Sequence, residues 1–182
     1  MPTPETEARL VLLAQCHDRD ARERLLRSVL PSLRRYLRHV MGPEHADDVT
    51  QDVLMIVCRK IGWLRQPDMF RPWLFRIASR AAFRYLKKEK RWSDQIRDPE
   101  VLEQVAAPQV YSPAAVREAL SRPDLSPASR AVLVLHFEEQ LTLPEIAAVL
   151  ELPLGTVKSR LAYGLTTLRR PIQTKERNHD QR

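Results

Sequence analysis

The sequence has few glycines, few aromatic residues and no long apolar run. Only 4 of its 182 residues are Gly and 6% are aromatic. Scarce glycine argues against a sheet protein with many tight turns and against glycine-rich phosphate loops. No apolar stretch approaches the roughly 18 residues that span a bilayer, and the first residues lack the pattern of a secretory signal. We therefore expect a cytoplasmic, mainly helical protein without stable membrane insertion.

Cysteines and catalytic motifs are scarce as well. Cys16 and Cys58 stand in separate apolar segments, which suggests neither a zinc site nor a disulfide framework, and we interpret both as small buried residues. The sequence contains no HExxH motif, no P-loop and no nucleophile triad. His136 and Glu139 lie three residues apart, a pairing that usually belongs to solvated helix surface. We expect no enzyme activity, no cofactor and no metal site.

Positive charge is in excess, and it is concentrated on one segment. Lys and Arg number 30 against 23 Asp and Glu, which gives a net charge of +7 and favours a polyanionic partner. The segment 71–92 contains eight basic residues and one acidic residue. Its net charge of +7 equals that of the whole chain, so the remaining residues sum to zero.

Helical spacing of apolar residues divides the chain into two parts. The spacing predicts helices through the first ninety residues, including one from about Glu44 to Ile61 and one from about Arg71 to Arg91. Pro31 is expected to kink or split an earlier helix. We predict an all-α fold of two small helical domains joined by a linker, the second containing a helix-turn-helix. The predicted units are an N-terminal domain (1–95), a linker (96–122), a C-terminal domain (123–172) and a polar tail (173–182).

The helix predicted after Glu44 has an acidic outer face. Anions near its start and cations near its end suit the helix dipole, which explains the charges but not their arrangement. Spacings of three and four residues place charged side chains, a glutamine and a methionine on one face of this helix. That face lies opposite a stripe of valines. Such a face is either a docking surface or simply solvated. Its members are Asp48, Gln51, Asp52, Met55 and Arg59.

The segment 71–92 combines cations with aromatic residues. Basic side chains recur every three or four residues, so they form a stripe that suits a phosphate backbone and predicts binding that weakens steeply with salt. Aromatic side chains beside this stripe could stack on unpaired bases, or they could be core residues. The candidate DNA-contacting residues are Trp73, Arg76, Arg80, Arg84, Lys87 and Lys88.

A helix-turn-helix is the most specific pattern in the chain. Thr142 and Glu145 have the spacing of a capping box, which predicts that a helix begins there. Residues 151–154 form a short turn, after which an apolar stripe predicts a second helix. Side chains on its outer face can reach base edges or phosphates, although a plain helical hairpin would also be solvated there. The candidates are Thr156, Lys158, Ser159, Arg160 and Tyr163.

Taken together, these three segments resemble the bacterial RNA polymerase sigma factors, specifically the compact extracytoplasmic-function group of the sigma-70 family. Residues 48–52 resemble the motif that docks on the polymerase clamp, and residues 70–78 resemble the start of the promoter-melting helix. The melting helix departs from the family at one position, where members often have Asn and this chain has Arg80. The segments that resemble the second DNA-binding domain are 125–130, 143–150 and 155–160.

The resemblance implies a sigma factor that binds core RNA polymerase, directs it to specific promoters and assists DNA melting. It implies that Asp48, Gln51, Asp52 and Met55 contact the polymerase and that the N-terminal domain captures flipped bases of the minus-ten element. The C-terminal domain would bind the minus-thirty-five element in the major groove. The implied partners are core RNA polymerase, promoter DNA and an anti-sigma factor.

Two other classes of protein compete with this interpretation. A helix-turn-helix transcription regulator that acts without docking on core polymerase would share the C-terminal pattern, but it leaves the acidic face and the basic helix unexplained. A nuclease would need clustered, inward-facing carboxylates to hold a metal ion, whereas Asp48 and Asp52 lie on a predicted outer face. Binding to core polymerase distinguishes the sigma factor from both.

Overall fold

The computed structural model describes residues 4–89, 116, 120, 122 and 125–169, and all regular structure within them is helical. The prediction of an all-α fold is confirmed. Short 3₁₀ turns at Ile61–Trp63 and Pro67–Met69 connect the third helix to the fourth. The N-terminal helices are α1 (Pro4–Gln15), α2 (Arg19–Met41), α3 (Pro43–Lys60) and α4 (Phe70–Lys88). The C-terminal helices are α5 (Pro127–Phe137), α6 (Leu143–Leu150) and α7 (Leu154–Arg169).

Most of the predicted linker (96–122) and all of the predicted tail (173–182) lie outside the described residues. Within the predicted linker, Val116 and Leu120 are buried and belong to the hydrophobic core. In the described part of the chain, no helix has the length and apolar character needed to cross a membrane. The exact bounds of the two domains stay predictions.

Helix α2 passes through Pro31 without being split. Pro31 lies on the exposed side of the helix, where water can hydrate the carbonyl that has lost its amide partner. On the opposite side, Leu25, Val29 and Leu33 are fully buried along one continuous face. Packing of this face therefore holds both halves in one helix, and of the two outcomes expected at Pro31 the split does not occur.

A glycine turn reverses the chain between α2 and α3. Gly42 has a φ of 89°, which strongly favours glycine, and its backbone N–H donates to the carbonyl of Arg38 at 3.0 Å. Pro43 then starts α3, where its missing N–H costs nothing. Helix α3 packs back on α2, and its Val49, Val53 and Val57 are buried. Because these valines face inward, the opposite face of α3 is left on the surface.

The C-terminal part contains the predicted helix-turn-helix. Thr142 and Glu145 form both bonds of a capping box at the start of α6, and the backbone N–H of Thr142 donates to the Glu145 carboxylate at 2.8 Å. Glu151 ends α6 with a left-handed backbone conformation (φ 57°). Helix α7 packs on α5 so closely that a Cβ at Gly164 would lie 2.9 Å from Leu133.

The N-terminal and C-terminal parts pack against each other. Helix α2 contacts α5, and α4 contacts α6, so buried side chains from both parts form one continuous core. Cys58 is half-buried, but Cys16 is exposed, and the prediction that both cysteines are buried is wrong for Cys16. Cys16 follows the last residue of α1, at the turn that leads to α2, where the inward-facing spacing of the helix no longer applies.

Candidate functional site

The acidic face of α3 is exposed. Asp48, Gln51 and Asp52 lie on the surface, and Met55 keeps 45% of its area exposed, which is unusual for a large apolar side chain. The neighbouring Asp47 pairs with Arg34 at 3.0 Å. Asp48 and Asp52, in contrast, make no ion pair with any described residue. This face therefore offers two carboxylates, an amide and an apolar side chain to a partner.

The basic stripe of α4 lies opposite the core. Leu74, Phe75 and Ala78 are fully buried, and Phe75 meets the ring of Tyr36 edge-on at a centroid distance of 5.2 Å. Trp73 is half-buried beside this core. The cations of the stripe are all on the surface: Arg76, Arg80, Arg84, Lys87 and Lys88.

Tyr36 joins α2 to α4 beneath this stripe. Its hydroxyl lies 2.6 Å from the Ser79 hydroxyl, which in turn donates to the carbonyl of Phe75 at 2.7 Å. Burial raises the pKa of Tyr36. Because Ser79 uses its hydrogen for the Phe75 carbonyl, the Tyr36 hydroxyl donates to Ser79. This hydrogen bond holds the inner face of α4 against α2. The cations on the outer face of α4 therefore point away from the core.

A cavity opens where the connection between α3 and α4 meets α6. Its volume is about 390 Å³. Trp63 lies at the edge of this cavity, with 78% of its area exposed. The Lys60 ammonium lies 6.0 Å from the centroid of the Trp63 ring. We did not predict Trp63 as a functional residue, although an aromatic residue in the loop before a basic helix was an available signal. The aromatic, cationic and apolar residues of the lining include Trp63, Met69, Trp73, Arg76, Ala148 and Val149.

A second cleft, of about 260 Å³, lies between α3 and α4. Asp52 and Arg59 line it from α3, and Arg84 and Lys88 line it from α4. The structure thus brings a residue of the predicted docking face next to two residues of the predicted DNA face. These two surfaces share an edge, which their separation in sequence did not indicate.

The five candidates on α7 differ in their surroundings. Lys158 is exposed, whereas Thr156 and Ser159 are half-buried, and the Ser159 hydroxyl donates to the Thr156 carbonyl at 3.0 Å. Arg160 is half-buried, with its guanidinium 3.5 Å from the hydroxyl of Ser126 in the same domain. Tyr163 is also half-buried and packs against the core. Lys158 is therefore the most accessible of the five.

Ion pairs connect the N-terminal and C-terminal parts. Arg35 pairs with Glu138, and Arg80 pairs with Glu151. Glu139 is buried and accepts a hydrogen bond from Arg71 at 2.8 Å. The expectation that Glu139 is solvated helix surface is wrong, because it lies just beyond α5 and points into the contact between the two parts.

The titratable groups at this contact are shifted by burial and by their partners. Burial raises the pKa of the Glu139 carboxyl, while Arg71 and Arg35 lower it. The hydrogen bond from Arg80 lowers the pKa of Glu151. Burial lowers the pKa of His39, which faces Glu138, Arg35 and Arg130. Among the described residues, no cluster of His, Cys, Asp and Glu could hold a metal ion.

Both parts of the chain match models of known protein families. A family model described as Sigma-70 region 2 matches residues 25–92, and one described as Sigma-70, region 4 matches residues 123–170. Two similar relatives come from Bacillus subtilis (strain 168). RNA polymerase sigma factor SigV is 28% identical over 72% of this chain and 78% of that protein. ECF RNA polymerase sigma factor SigW is 29% identical over 74% of this chain and 79% of that protein.

A solved structure has a similar fold over nearly the whole chain. It is CnrH in complex with the cytosolic domain of CnrY. CnrH is 26% identical to this chain with a TM-score of 0.62, and the match covers 90% of this chain and 95% of that one. The match extends over both parts, so the fold of each part is similar to that of a known protein.

Proposed function

The chain belongs to the sigma-70 family of RNA polymerase sigma factors, in the compact extracytoplasmic-function group, and from this premise we propose how its surfaces direct core RNA polymerase to promoters. The observation that carries the proposal is the cleft shared by α3 and α4, where Asp52 lies beside Arg84 and Lys88. A polymerase element bound to the acidic face of α3 would hold the cationic face of α4 beside the DNA strand. Docking and DNA binding are thereby coupled.

The proposed docking surface consists of Asp48, Gln51, Asp52 and Met55. The first three supply polar groups that can accept or donate hydrogen bonds, and Met55 supplies flexible apolar area that adapts to a partner. None of them faces the core, so binding requires no rearrangement of α3. A positively charged or amide-rich helix surface on core polymerase would complement this face.

The proposed minus-ten surface consists of the α4 stripe and the adjoining cavity. Melting a few base pairs costs several kcal/mol, since stacking contributes roughly 1.4 kcal/mol per step. A pocket that binds an unstacked base offsets that cost if it prefers single strand to duplex. Trp63 and Trp73 offer ring faces at the cavity, and base–aromatic stacking contributes roughly 1–3 kcal/mol per base. Arg76, Arg84, Lys87 and Lys88 form no ion pair with a described residue, and their exposed side chains can follow the phosphates.

The proposed minus-thirty-five surface is the N-terminal half of α7. Lys158 is exposed at the point where a recognition helix enters the major groove, and Thr156 and Ser159 flank it. Arg160 and Tyr163 remain candidates, but in the described conformation they lie partly against their own domain. We propose that Lys158 makes the base or phosphate contact closest to the groove.

We also propose the division into an N-terminal domain (1–95), a linker (96–122), a C-terminal domain (123–172) and a tail (173–182). The two matched family regions, 25–92 and 123–170, support it. An anti-sigma factor is a proposed partner, supported by the similarity to CnrH, whose structure was solved with the cytosolic domain of CnrY. We propose that the chain acts in the cytoplasm and has no catalytic activity of its own.

Reconstituted transcription tests this function. Bacterial core RNA polymerase, with and without the chain, is incubated with genomic DNA fragments, and the transcripts are sequenced to find the initiated promoters. We expect transcripts that start at a small set of sites only when the chain is present. Tight duplex binding by the chain alone, without core-dependent transcripts, would instead support a helix-turn-helix regulator.

Exchange of Lys158 and Ser159 is expected to change promoter preference at the minus-thirty-five element by about tenfold. A single good contact to a base edge discriminates by roughly 1–3 kcal/mol, and the exchange moves the long cation by one helix position while preserving composition. The measurement is competitive transcription from promoters that differ in single minus-thirty-five bases. Thr166→Ala, at an exposed position further along α7, serves as the control and should leave the preference unchanged. An unaltered preference in the exchange variant would argue against these two residues as readers.

A further inference from the structure

We propose that helix α1 positions the cavity that we assign to base capture, and that Gln15 does so by fixing the turn that carries Trp63. The inference rests on the proposed function, because it adds a positioning residue to the proposed minus-ten surface. Helix α1 lies outside residues 25–92, the region that the family model matches. Gln15 does not line the cavity itself, so it must act through the residues that do.

The Gln15 side chain binds both ends of the turn at Ile61–Trp63. Its Nε2 donates to the carbonyl of Ile61 at 2.9 Å and to the carbonyl of Leu64 at 2.7 Å. Both partners are acceptors, so the NH₂ group and not the amide oxygen faces them, and its two hydrogens are both used. The backbone N–H of Leu64 donates to the Ile61 carbonyl at 3.1 Å and closes the turn. Trp63 lies between the two carbonyls in the chain, so one side chain spans the turn that carries its ring.

The rest of this turn lies largely on the surface. Ile61 is buried, but Trp63 is exposed, and a Cβ at Gly62 would meet no atom within 4 Å. Among the described residues, no side chain other than that of Gln15 hydrogen-bonds to the backbone of 61–66. Exposed segments with few buried contacts open locally at a low cost in free energy. The two hydrogen bonds from Gln15 are therefore a main restraint on the position of the Trp63 ring.

Helix α1 also holds the start of α4. Glu7 is buried, and each of its carboxylate oxygens accepts a hydrogen bond from Arg71 at 3.0 Å. Such a bidentate pair fixes the geometry of both side chains. Glu7 and Gln15 lie eight positions apart, about 12 Å along the helix. Both 3₁₀ turns between α3 and α4 contact α1, so this helix holds the connection that lines the cavity at its two ends.

A turn that is fixed in advance favours base capture. The Trp63 ring can stack on a base in the cavity only when the turn holds it at the cavity's edge. Ordering a mobile turn on binding costs conformational entropy. The apparent affinity for the strand also falls in proportion to the fraction of molecules in the binding conformation. Gln15 raises that fraction before the strand arrives.

Binding of the polymerase complex to single-stranded DNA tests the proposal. Gln15→Met removes both donors and keeps an unbranched side chain of similar length. The probe is a fluorescein-labelled strand with the non-template sequence of a promoter found by transcription, and its anisotropy is measured. We expect Gln15→Met to bind about fivefold more weakly, as when roughly one fifth of the molecules has the turn in place. The control is Leu12→Ala, at a position of α1 that is 52% exposed, and it should bind as the parent does. Equal affinities of Gln15→Met and this control would overturn the proposal.

A double-mutant cycle with Trp63→Ala separates a positioning role from a general loss of stability. Trp63→Ala should itself weaken binding, because it removes the ring that stacks on the base. In this background Gln15→Met should cause no further loss, since no ring is left to position. The same loss from Gln15→Met in both backgrounds would contradict an action through Trp63, and so would an unchanged affinity of Trp63→Ala alone.

Hydrogen exchange in the free chain measures the restraint on the turn directly. We expect the amides of 62–66 to exchange about fivefold faster in Gln15→Met than in Leu12→Ala, because the turn opens more often. The amides of α3 should exchange at the same rate in both variants. Unchanged exchange in 62–66, or an equal acceleration throughout α3, would refute a local action of Gln15 on the turn.

The same proteins separate this proposal from the proposed function. If the parent complex binds the strand and initiates transcription but Gln15→Met behaves as its control, the positioning role is refuted and the function stands. If the parent complex neither binds the strand nor initiates transcription, the proposed function is refuted. A base is then refuted as the ligand of Trp63, even where hydrogen exchange shows that Gln15 restrains the turn.

Discussion

Replacing Gln51 and Asp52 together by Ala is expected to lower the affinity for core RNA polymerase about a hundredfold, which corresponds to roughly 2.7 kcal/mol. Both side chains lie on the exposed face of α3 and neither takes part in the core. A few residues near the centre of an interface carry most of its binding free energy, and such residues contribute 2 kcal/mol or more each. Because Ala favours helix and no buried contact is removed, the melting temperature should not fall. The measurements are fluorescence titration of the labelled chain with core enzyme and thermal unfolding followed by circular dichroism.

The matched control replaces Glu23 and Arg27 by Ala. These residues form an exposed ion pair one turn apart on α2, away from the proposed docking surface. We expect this variant to bind core polymerase as the parent chain does. Normal transcription by the Gln51 and Asp52 variant would refute the docking role of α3, whatever its melting temperature.

Replacing Arg84, Lys87 and Lys88 by Ala is expected to weaken binding of the polymerase complex to a melted minus-ten strand by roughly thirtyfold or more. Each cation that neutralises a phosphate of a single strand contributes about 0.7 to the slope of log affinity against log salt. Removal of three should therefore reduce that slope by about 2. All three side chains are exposed, so we expect the fold of α4 to be unaffected.

Anisotropy titrations at several salt concentrations measure this slope. The control variant replaces three exposed arginines of α2, Arg19, Arg24 and Arg27, by Ala and changes the net charge by the same amount. The slope should stay near the parent value in the control. An equal loss of slope in both variants would indicate a diffuse effect of net charge and refute a positioned contact with α4.

Several features of the fold followed from short-range patterns. The capping box of Thr142 and Glu145 marks the start of α6, as their spacing predicted. This signal depends on backbone geometry within a few residues, which the residue types alone dictate. The outward direction of the acidic face of α3 and of the basic stripe of α4 could also be predicted from the sequence. A helix places residues three and four positions apart on one side.

Two outcomes depended on contacts between segments. Of the kink or split expected at Pro31, the split is avoided because the apolar face of α2 packs along its whole length. The burial of Glu139 depends on Arg71, which is distant in sequence. In each case a contact between segments outweighs the local preference, and no periodicity within one segment contains that information.

The amino-acid order was therefore sufficient for the helices, for the position of the helix-turn-helix and for the concentration of charge on one segment, since all three depend on near neighbours along the chain. Only the tertiary structure placed Trp63 at a cavity with Trp73, Asp52 in a cleft with Arg84, and Glu151 on Arg80. Glu151 lies 71 positions from Arg80 in the sequence. Their pairing arises because α6 packs on α4, and that packing is a property of two folded surfaces.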